Sequence, residues 1–355
     1  MNFLKAFLFT LIILSSFVQA TLAQDNENFK LGIVLPLTSP ANVHGVPIQR
    51  AIQLASLKLD SGSSKRIELI FEDDAFKATN TVTAVQKLIH VDKVNAIIVF
   101  GTTMGNAVVD IIEKAKIPFL SLNVNRIVVK DKKYSFLMMP SIESMMTPLI
   151  NEVKSRKYAS IYQVASIQES CLLQAEIFKG ISGLNIIDSS EVLPAEVSFT
   201  DLASRIKSKS PEAVFLSTLI PQGALIAKKL REMGYKGDLF AGPQESSLSE
   251  LALSNNALLN AYLVSGDDRL GDSLFINYKN QYGVDPREES DWAIYAYNSF
   301  HLLLEGIKSG DVVKFLSELR DFESTLGPIS ADGERGFTFP VGIKKFTKNG
   351  FEYVN

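Results

Sequence analysis

From Phe29 onward, short apolar runs alternate with amphipathic segments, and past residue 140 the alternation begins again. Short aliphatic and β-branched runs bounded by turn formers read as strands, and apolar residues spaced three and four apart read as helices. Leu31–Leu37, Ile67–Phe71, Ala96–Phe100 and Phe119–Leu122 are the strands of the first series. Between them, helices are expected over Gly45–Leu59, Asn80–His90 and Gly105–Ala115. Strand and helix in strict alternation imply parallel pairing, because parallel neighbours can be joined only by a crossover. The strand runs are almost continuously apolar, the pattern of strands covered on both faces.

The second series has helices over Thr147–Arg156, Leu172–Ile181 and Gly223–Met233, the last closed by Gly234. Its strands are Ser160–Val164, Asn185–Ile187, Ala213–Leu219 and Leu239–Ala241. Helices follow over Asp272–Tyr282, Asp291–Lys308 and Val312–Arg320, then strand-like Gly336–Phe339, Ile343–Phe346 and Phe351–Val354. Where a flexible tether between the two series would be polar, the chain reads Phe136-Leu137-Met138-Met139-Pro140. That apolar stretch suits a strand-like connection. The expected fold class is α/β, with two doubly wound parallel-sheet lobes that share hinge segments.

Residues 1–23 belong to a different category. Lys5 precedes an apolar core over Ala6–Val18, and small residues stand at Ala20 and Ala23, so cleavage after either is expected. The run is shorter than the roughly 20 residues needed to span a bilayer, and no Cys closely follows it to accept lipid. A signal peptide and a soluble periplasmic mature protein are the expectation. The lone Cys171 has no partner in the chain; it is either a buried thiol or one half of an intermolecular disulfide. With a net charge of -3 and only short basic spots at Lys65-Arg66 and Lys130–Lys133, the chain lacks the basic stripe of a nucleic-acid binder.

Reactive chemistry is not legible. His44, His90 and His301 are the three histidines, and none stands at metal-ligand spacing from another ligating residue. Gly101–Gly105 lacks the Lys and the length of a phosphate loop, and no serine sits in a nucleophile elbow. Asp73-Asp74, at a strand end, is read as accepting hydrogen bonds from loop amides. No catalytic residue, metal or cofactor is expected, and the chain is not read as an enzyme.

In open parallel sheets, ligands bind outside the carboxyl ends of the strands. That rule nominates the loop carrying Ser39 and His44, the Asp73-Asp74 loop, Gly101–Gly105, and the loop carrying Asn123 and Asn125. Thr102 and Thr103 stand where a strand turns into a helix, an end whose free amides attract an anion. One of the two threonines can equally serve only as the N-cap, and the two asparagines only as turn residues.

The order of several phrases resembles the type I periplasmic binding proteins of the leucine/isoleucine/valine-binding family. They are Gly32–Pro40 with Gly45, Glu72-Asp73-Asp74, Phe100–Thr103, Lys116–Ser121, Gly234-Tyr235, Ala241-Gly242-Pro243, Tyr295–Tyr297 and Leu326–Ser330. The resemblance implies a clamp with three hinge segments, near Met138–Ser141, Val264–Asp267 and Gly327–Asp332. The N-terminal lobe would comprise 29–139 plus 268–326, and the C-terminal lobe 140–264 plus 330–355. It also implies a monomer that closes on a small solute and delivers it to an ABC permease. In the family the ligand carboxylate is held by the loops matching Thr102-Thr103 and Asn123 with Asn125, and His44 falls where an aromatic residue flanks the ligand.

The departures lie in the second lobe. Where amino-acid binders of the family place a Glu to pair the ligand ammonium, this chain has Gln244, with Glu245 one residue later. Glu169-Ser170 stands in place of a Tyr-Gly pair, and Leu219 in place of an aromatic or polar residue. A neutral Gln supplies no counter-charge. Either Glu245 or Glu169 substitutes, or the ligand is not an α-amino acid. The expected ligand is a small carboxylate, amino-acid-like, with an apolar portion. A ligand-sensing or envelope-partner-binding protein using the same clamp without transport is the alternative.

Overall fold

A computed structural model describes residues 28–57, 66–181 and 183–354; the signal-peptide reading lies outside the described residues. The first lobe is built from β1 (Phe29–Leu35), α1 (Asn42–Leu57), β2 (Ile67–Asp73), α2 (Ala78–Lys87), β3 (Ala96–Phe100), α3 (Thr102–Ala115), β4 (Phe119–Leu122) and β5 (Ser135–Leu137). Its sheet is wholly parallel in the order β2-β1-β3-β4-β5.

The second lobe follows with α4 (Ile142–Ser155), β6 (Ile161–Ser166), α5 (Glu169–Lys179), β7 (Ile186–Val192), α6 (Thr200–Lys209), β8 (Ala213–Ser217), α7 (Gln222–Glu232), β9 (Asp238–Ala241), α8 (Leu248–Leu253) and β10 (Tyr262–Gly266). The chain then returns to the first lobe for α9 (Asp272–Tyr282), α10 (Pro286–Glu289), α11 (Trp292–Ser309), α12 (Val312–Ser317) and the ribbon of β11 (Phe322–Ser324) with β12 (Gly327–Ile329). It ends in the second sheet as β13 (Val341–Thr347) and β14 (Gly350–Tyr353). That sheet runs β14-β13-β10-β9-β8-β6-β7, parallel except for β13 and β14. Its parallel part has the same 2-1-3-4-5 order as the first sheet. The lobe-scale repetition is thus topological.

Burial explains the strand patterns. β3, β6, β8 and β10 are buried along their whole length, whereas edge strand β7 alternates half-buried and exposed residues up to the buried Val192. α11 lies along α1 on one face of the first sheet, and α2 with α3 covers the other. One apolar cluster continues from Leu31 and Ile33 through Met138 and Met145 to Phe178 and Phe215, whose rings stack at 4.2 Å. Across the second sheet, Leu202 and Ile206 of α6 pack with Ala227 and Leu230 of α7. No helix among the described residues is long and apolar enough to cross a membrane.

Several boundaries differ from the sequence reading for local reasons. α4 starts at Ile142 rather than Thr147, because the Ser141 hydroxyl caps the Ser144 amide and the Ile142 amide bonds the Val124 carbonyl at 2.8 Å; Pro148 is carried inside the helix. α5 starts at Glu169 rather than Leu172, capped by the Gln168 side chain on the amides of Ser170 and Cys171. The apolar connection at 136–140 includes the fifth strand of the first sheet, Leu137 also donating to the Arg335 carbonyl at 2.7 Å. β7 extends to Val192 through the polar run Asp188–Glu191, as an edge strand permits. Gly336–Phe339 is not a strand; it contributes one isolated bridge, Ala331 to Phe337.

Gly45 marks the closest approach of α1 to the end of β1, where a Cβ would lie 2.0 Å from the Pro36 carbonyl oxygen. Backbone cannot yield there as a side-chain tip would. Gly45→Ala should therefore destabilise the protein by about 1–3 kcal/mol, seen as a lower midpoint of urea unfolding with an unchanged slope.

Candidate functional site

The carboxyl ends of β1, β3 and β4 face those of β6, β8 and β9 across the space between the lobes. A cavity of about 50 Å³ lies there, several times the roughly 10–15 Å³ that one water needs on such a measure. Its first-lobe wall is His44, Phe76, Phe100, Gly101, Thr102, Leu122, Asn123 and Val124, with Met139 and Trp292. The second-lobe wall is Gln168, Ser170, Leu219 and Gln244. None of these carries a carboxylate, ammonium or guanidinium.

On the first wall, Gly101 takes φ +99° to turn β3 into α3, and no side chain caps that helix. The first amides of α3 therefore have no intrahelical partner at the cavity edge, beside the buried Thr102. Asn123 is also buried; its Nδ2 donates to Ser121 Oγ and its Oδ1 accepts from the Asn125 amide at 2.8 Å. His44 stands in the first turn of α1, 5.8 Å from the Phe100 ring and 6.4 Å from that of Trp292, with Nδ1 paired to Ser290 Oγ at 3.0 Å. Burial lowers its pKa from 6.5 to about 4, so at neutral pH it is an uncharged aromatic wall.

The second wall is a chain of neutral hydrogen bonds. Gln244 donates to Ser170 Oγ at 2.8 Å and accepts from Gln174, whose Oε1 in turn accepts from Ser217 at 3.0 Å. Ser170 also donates to Gln168. Leu219 adds an apolar edge, its amide held by Ser166 Oγ at 3.0 Å.

The remaining predicted residues stand outside the cavity lining. Ser39 accepts from the Ala41 amide at 3.2 Å in the turn before α1. Thr103 is exposed, and with Asn125 it donates to Glu169 across the cleft, at 3.0 and 3.3 Å. Glu245 turns away into the second lobe, where it is fully buried against Gly223 and accepts from Thr218. Asp73 accepts from Thr38 and from the amides of Leu37 and Ala75, at 2.8 and 2.9 Å for the amides. Asp74 accepts from the Phe76 amide at 2.8 Å and from Thr81 at 2.9 Å. This acidic pair shapes the loop that swings Phe76, at φ +59°, into the cavity.

Sequence reasoning nominated the loop after Asp73-Asp74 but not Phe76 itself, and it missed Phe100, Met139, Gln168, Ser170 and Trp292. The signal for Trp292 was available: it is the chain's single tryptophan, at the first turn of a predicted helix. Cys171 is buried, and burial pushes its thiol well above the ordinary range, which disfavours the thiolate. Among the described residues, no group of three or more His, Cys, Asp or Glu could hold a metal. The arrangement can enclose and orient a small molecule.

A family model described as a periplasmic binding protein matches residues 28–339. A Leu/Ile/Val-binding protein homolog 7 from Brucella abortus is 24% identical over 320 residues, covering 82% of this chain and 79% of that protein. Among solved structures, the branched-chain amino acid transporter substrate-binding protein LivJ from Streptococcus pneumoniae, in complex with isoleucine, superposes with a TM-score of 0.82. It is 18% identical and covers 92% of this chain and 99% of its own. A solute-binding protein of an ABC transporter from Rhodopseudomonas palustris, in complex with 3,4-dihydroxybenzoic acid, gives 0.81 at 23% identity, covering 92% and 95%. These likenesses show the fold, that of type I periplasmic binding proteins.

Behind the second wall, Glu245 and Glu250 form a buried carboxyl pair. Burial first, and then the neighbouring Glu250, push Glu245 well above the ordinary range; burial raises Glu250 from 4.5 to about 7. The folded protein therefore holds more protons than the unfolded chain between those values. The share of stability that comes from Glu250 is complete below pH 4.5 and is lost as pH rises through about 7. Glu250→Gln should flatten that decline in thermal melts between pH 5 and 8. Comparison with wild type separates the pair from His44, whose lowered pKa acts in the opposite direction between about 4 and 6.5. An unchanged slope would contradict the assignment.

Proposed function

The chain belongs to the periplasmic binding protein family, whose members bind solutes and do no chemistry on them, and from that premise we propose that its cleft captures a small carboxylate with an apolar body for an ABC importer. The observation that carries this reading is the asymmetry of the cavity. One wall offers the uncapped amides at the start of α3 beside Thr102 and Asn123, an arrangement that favours a carboxylate. The other wall offers no negative group to an ammonium. Gln244 is neutral, Glu245 faces inward beside Glu250, and Glu169 is engaged by Thr103, Asn106 and Asn125.

Burying an ammonium in such a cavity without a partner would cost several kcal/mol, so a free α-amino acid is disfavoured relative to the same acid without its amino group. Phe76, Phe100, Trp292 and Leu219 supply flat and aliphatic surface for the rest of the molecule. The structural neighbours hold ligands of both kinds, isoleucine in one and an aromatic acid in another. The neutral wall of this chain favours the second kind. As the mature form, the protein would act in the periplasm as a monomer, with the permease as partner.

Benzoate-class and short aliphatic carboxylates should raise the melting temperature of the purified protein, by linkage, while leucine and isoleucine at equal concentration raise it less. The corresponding amides should give no rise. Stabilisation by sugars or cationic solutes alone would overturn the reading. Thr102→Val and Asn123→Ala should each weaken carboxylate binding by about tenfold in calorimetry.

A further inference from the structure

Glu169 belongs to the second lobe, yet its hydrogen-bond donors Thr103, Asn106 and Asn125 belong to the first. Thr103 Oγ1 donates to Oε2 at 3.0 Å, Asn106 Nδ2 to Oε1 at 2.7 Å, and Asn125 Nδ2 to the same Oε1 at 3.3 Å. Thr103 and Asn106 lie in the first turns of α3, and Asn125 lies just beyond β4. Glu169 itself is the first residue of α5. One carboxylate therefore sits at the N-termini of two helices, one from each lobe, and each end carries partial positive charge.

We infer that Glu169 is an interlobe latch that sets how far the clamp is closed before any solute enters. Its bonds to Thr103, Asn106 and Asn125 exist only while the lobes are together, and opening returns the carboxylate to water. Ser247 Oγ to the Glu288 carbonyl at 2.8 Å and Lys344 Nζ to Asp291 at 3.7 Å also join the lobes, but Glu169 gathers three first-lobe donors on one charged acceptor, and charge-assisted bonds are about twice as strong as neutral ones. It also has a place on the route to the cavity. Gln168, its neighbour in the chain, lines the inner cavity, whereas its partner Asn125 lines an outer groove of about 770 Å³ between the lobes. Release of the latch would join the two spaces. The latch thus acts on apparent affinity and on release through the closed population, whatever solute the cleft accepts.

The test uses the purified protein with no solute added, so its outcome is independent of the ligand assignment. Trp292, the chain's single tryptophan, lines the cavity and is 5% exposed, so its quenching by acrylamide reports opening. Glu169→Ala should lower the closed-to-open ratio by about tenfold. Small-angle scattering should then give a larger radius of gyration, and Trp292 should quench more readily, with the circular dichroism of the wild type retained. Asn106→Ala should shift both readouts the same way by less, and adding it to Glu169→Ala should change nothing further. Because Asn106 is an exposed residue of α3, that variant carries the test if Glu169→Ala does not fold. Scattering and quenching that match the wild type in both variants, or fully additive effects, would overturn the latch.

Discussion

A parallel strand buried on both faces can reach its neighbour only by a crossover over the sheet, and that constraint governs this molecule. Crossovers place the carboxyl ends of all the strands they join in parallel on one edge of each sheet. The 2-1-3-4-5 order of both sheets then opens a crevice on that edge between the strands at which the winding reverses. Three passages of the chain between the lobes, after β5, after β10 and after β12, hold the two edges facing each other. The cavity follows from topology before any side chain is specified; side chains decide only what it accepts.

What they decide here is an interior without free charge at the cavity surface. His44 is held neutral by burial, and Gln244, Gln174, Ser170 and Ser217 satisfy one another. The acidic residues nearest the cleft face elsewhere, Glu245 into the carboxyl pair and Glu169 across to the first lobe. The first amides of α3, which no side chain caps, are left at the cavity edge. The proposed recognition of a carboxylate by backbone amides requires no particular side chain, so it is compatible with the neutral opposite wall.

The fold was legible because buried parallel strands leave continuous apolar runs, as in Ala96–Phe100 and Ala213–Ser217. Element starts were less legible where a polar residue caps a helix from outside the apolar period. Gln168 and Ser141 each lengthen a helix by several residues, and their side chains reveal this only through the amides they reach. Of the cavity lining, Thr102, Asn123 and His44 were reachable by counting from strand ends, and Leu219 and Gln244 only through the family resemblance. The destination of a flexible carboxylate was not. Glu169 and Glu245 look equivalent in sequence, one as a helix opener and one after Gly242-Pro243, but α3 lies within reach of the first and Gly223 makes room for the second. Phe76 was hidden for a related reason: its direction depends on the hydrogen bonds of Asp74 rather than on periodicity.

The central claim is that a carboxylate is seated on the start of α3 and that the rest of the solute lies among aromatic side chains. A crystal structure of the protein grown with benzoate tests it most directly. The account predicts carboxylate oxygens within about 2.7–3.2 Å of the first α3 amides, with the ring packed between Phe100 and Trp292. A ligand bound instead with its polar group on Glu245 or Glu169, or outside the cavity altogether, would contradict it.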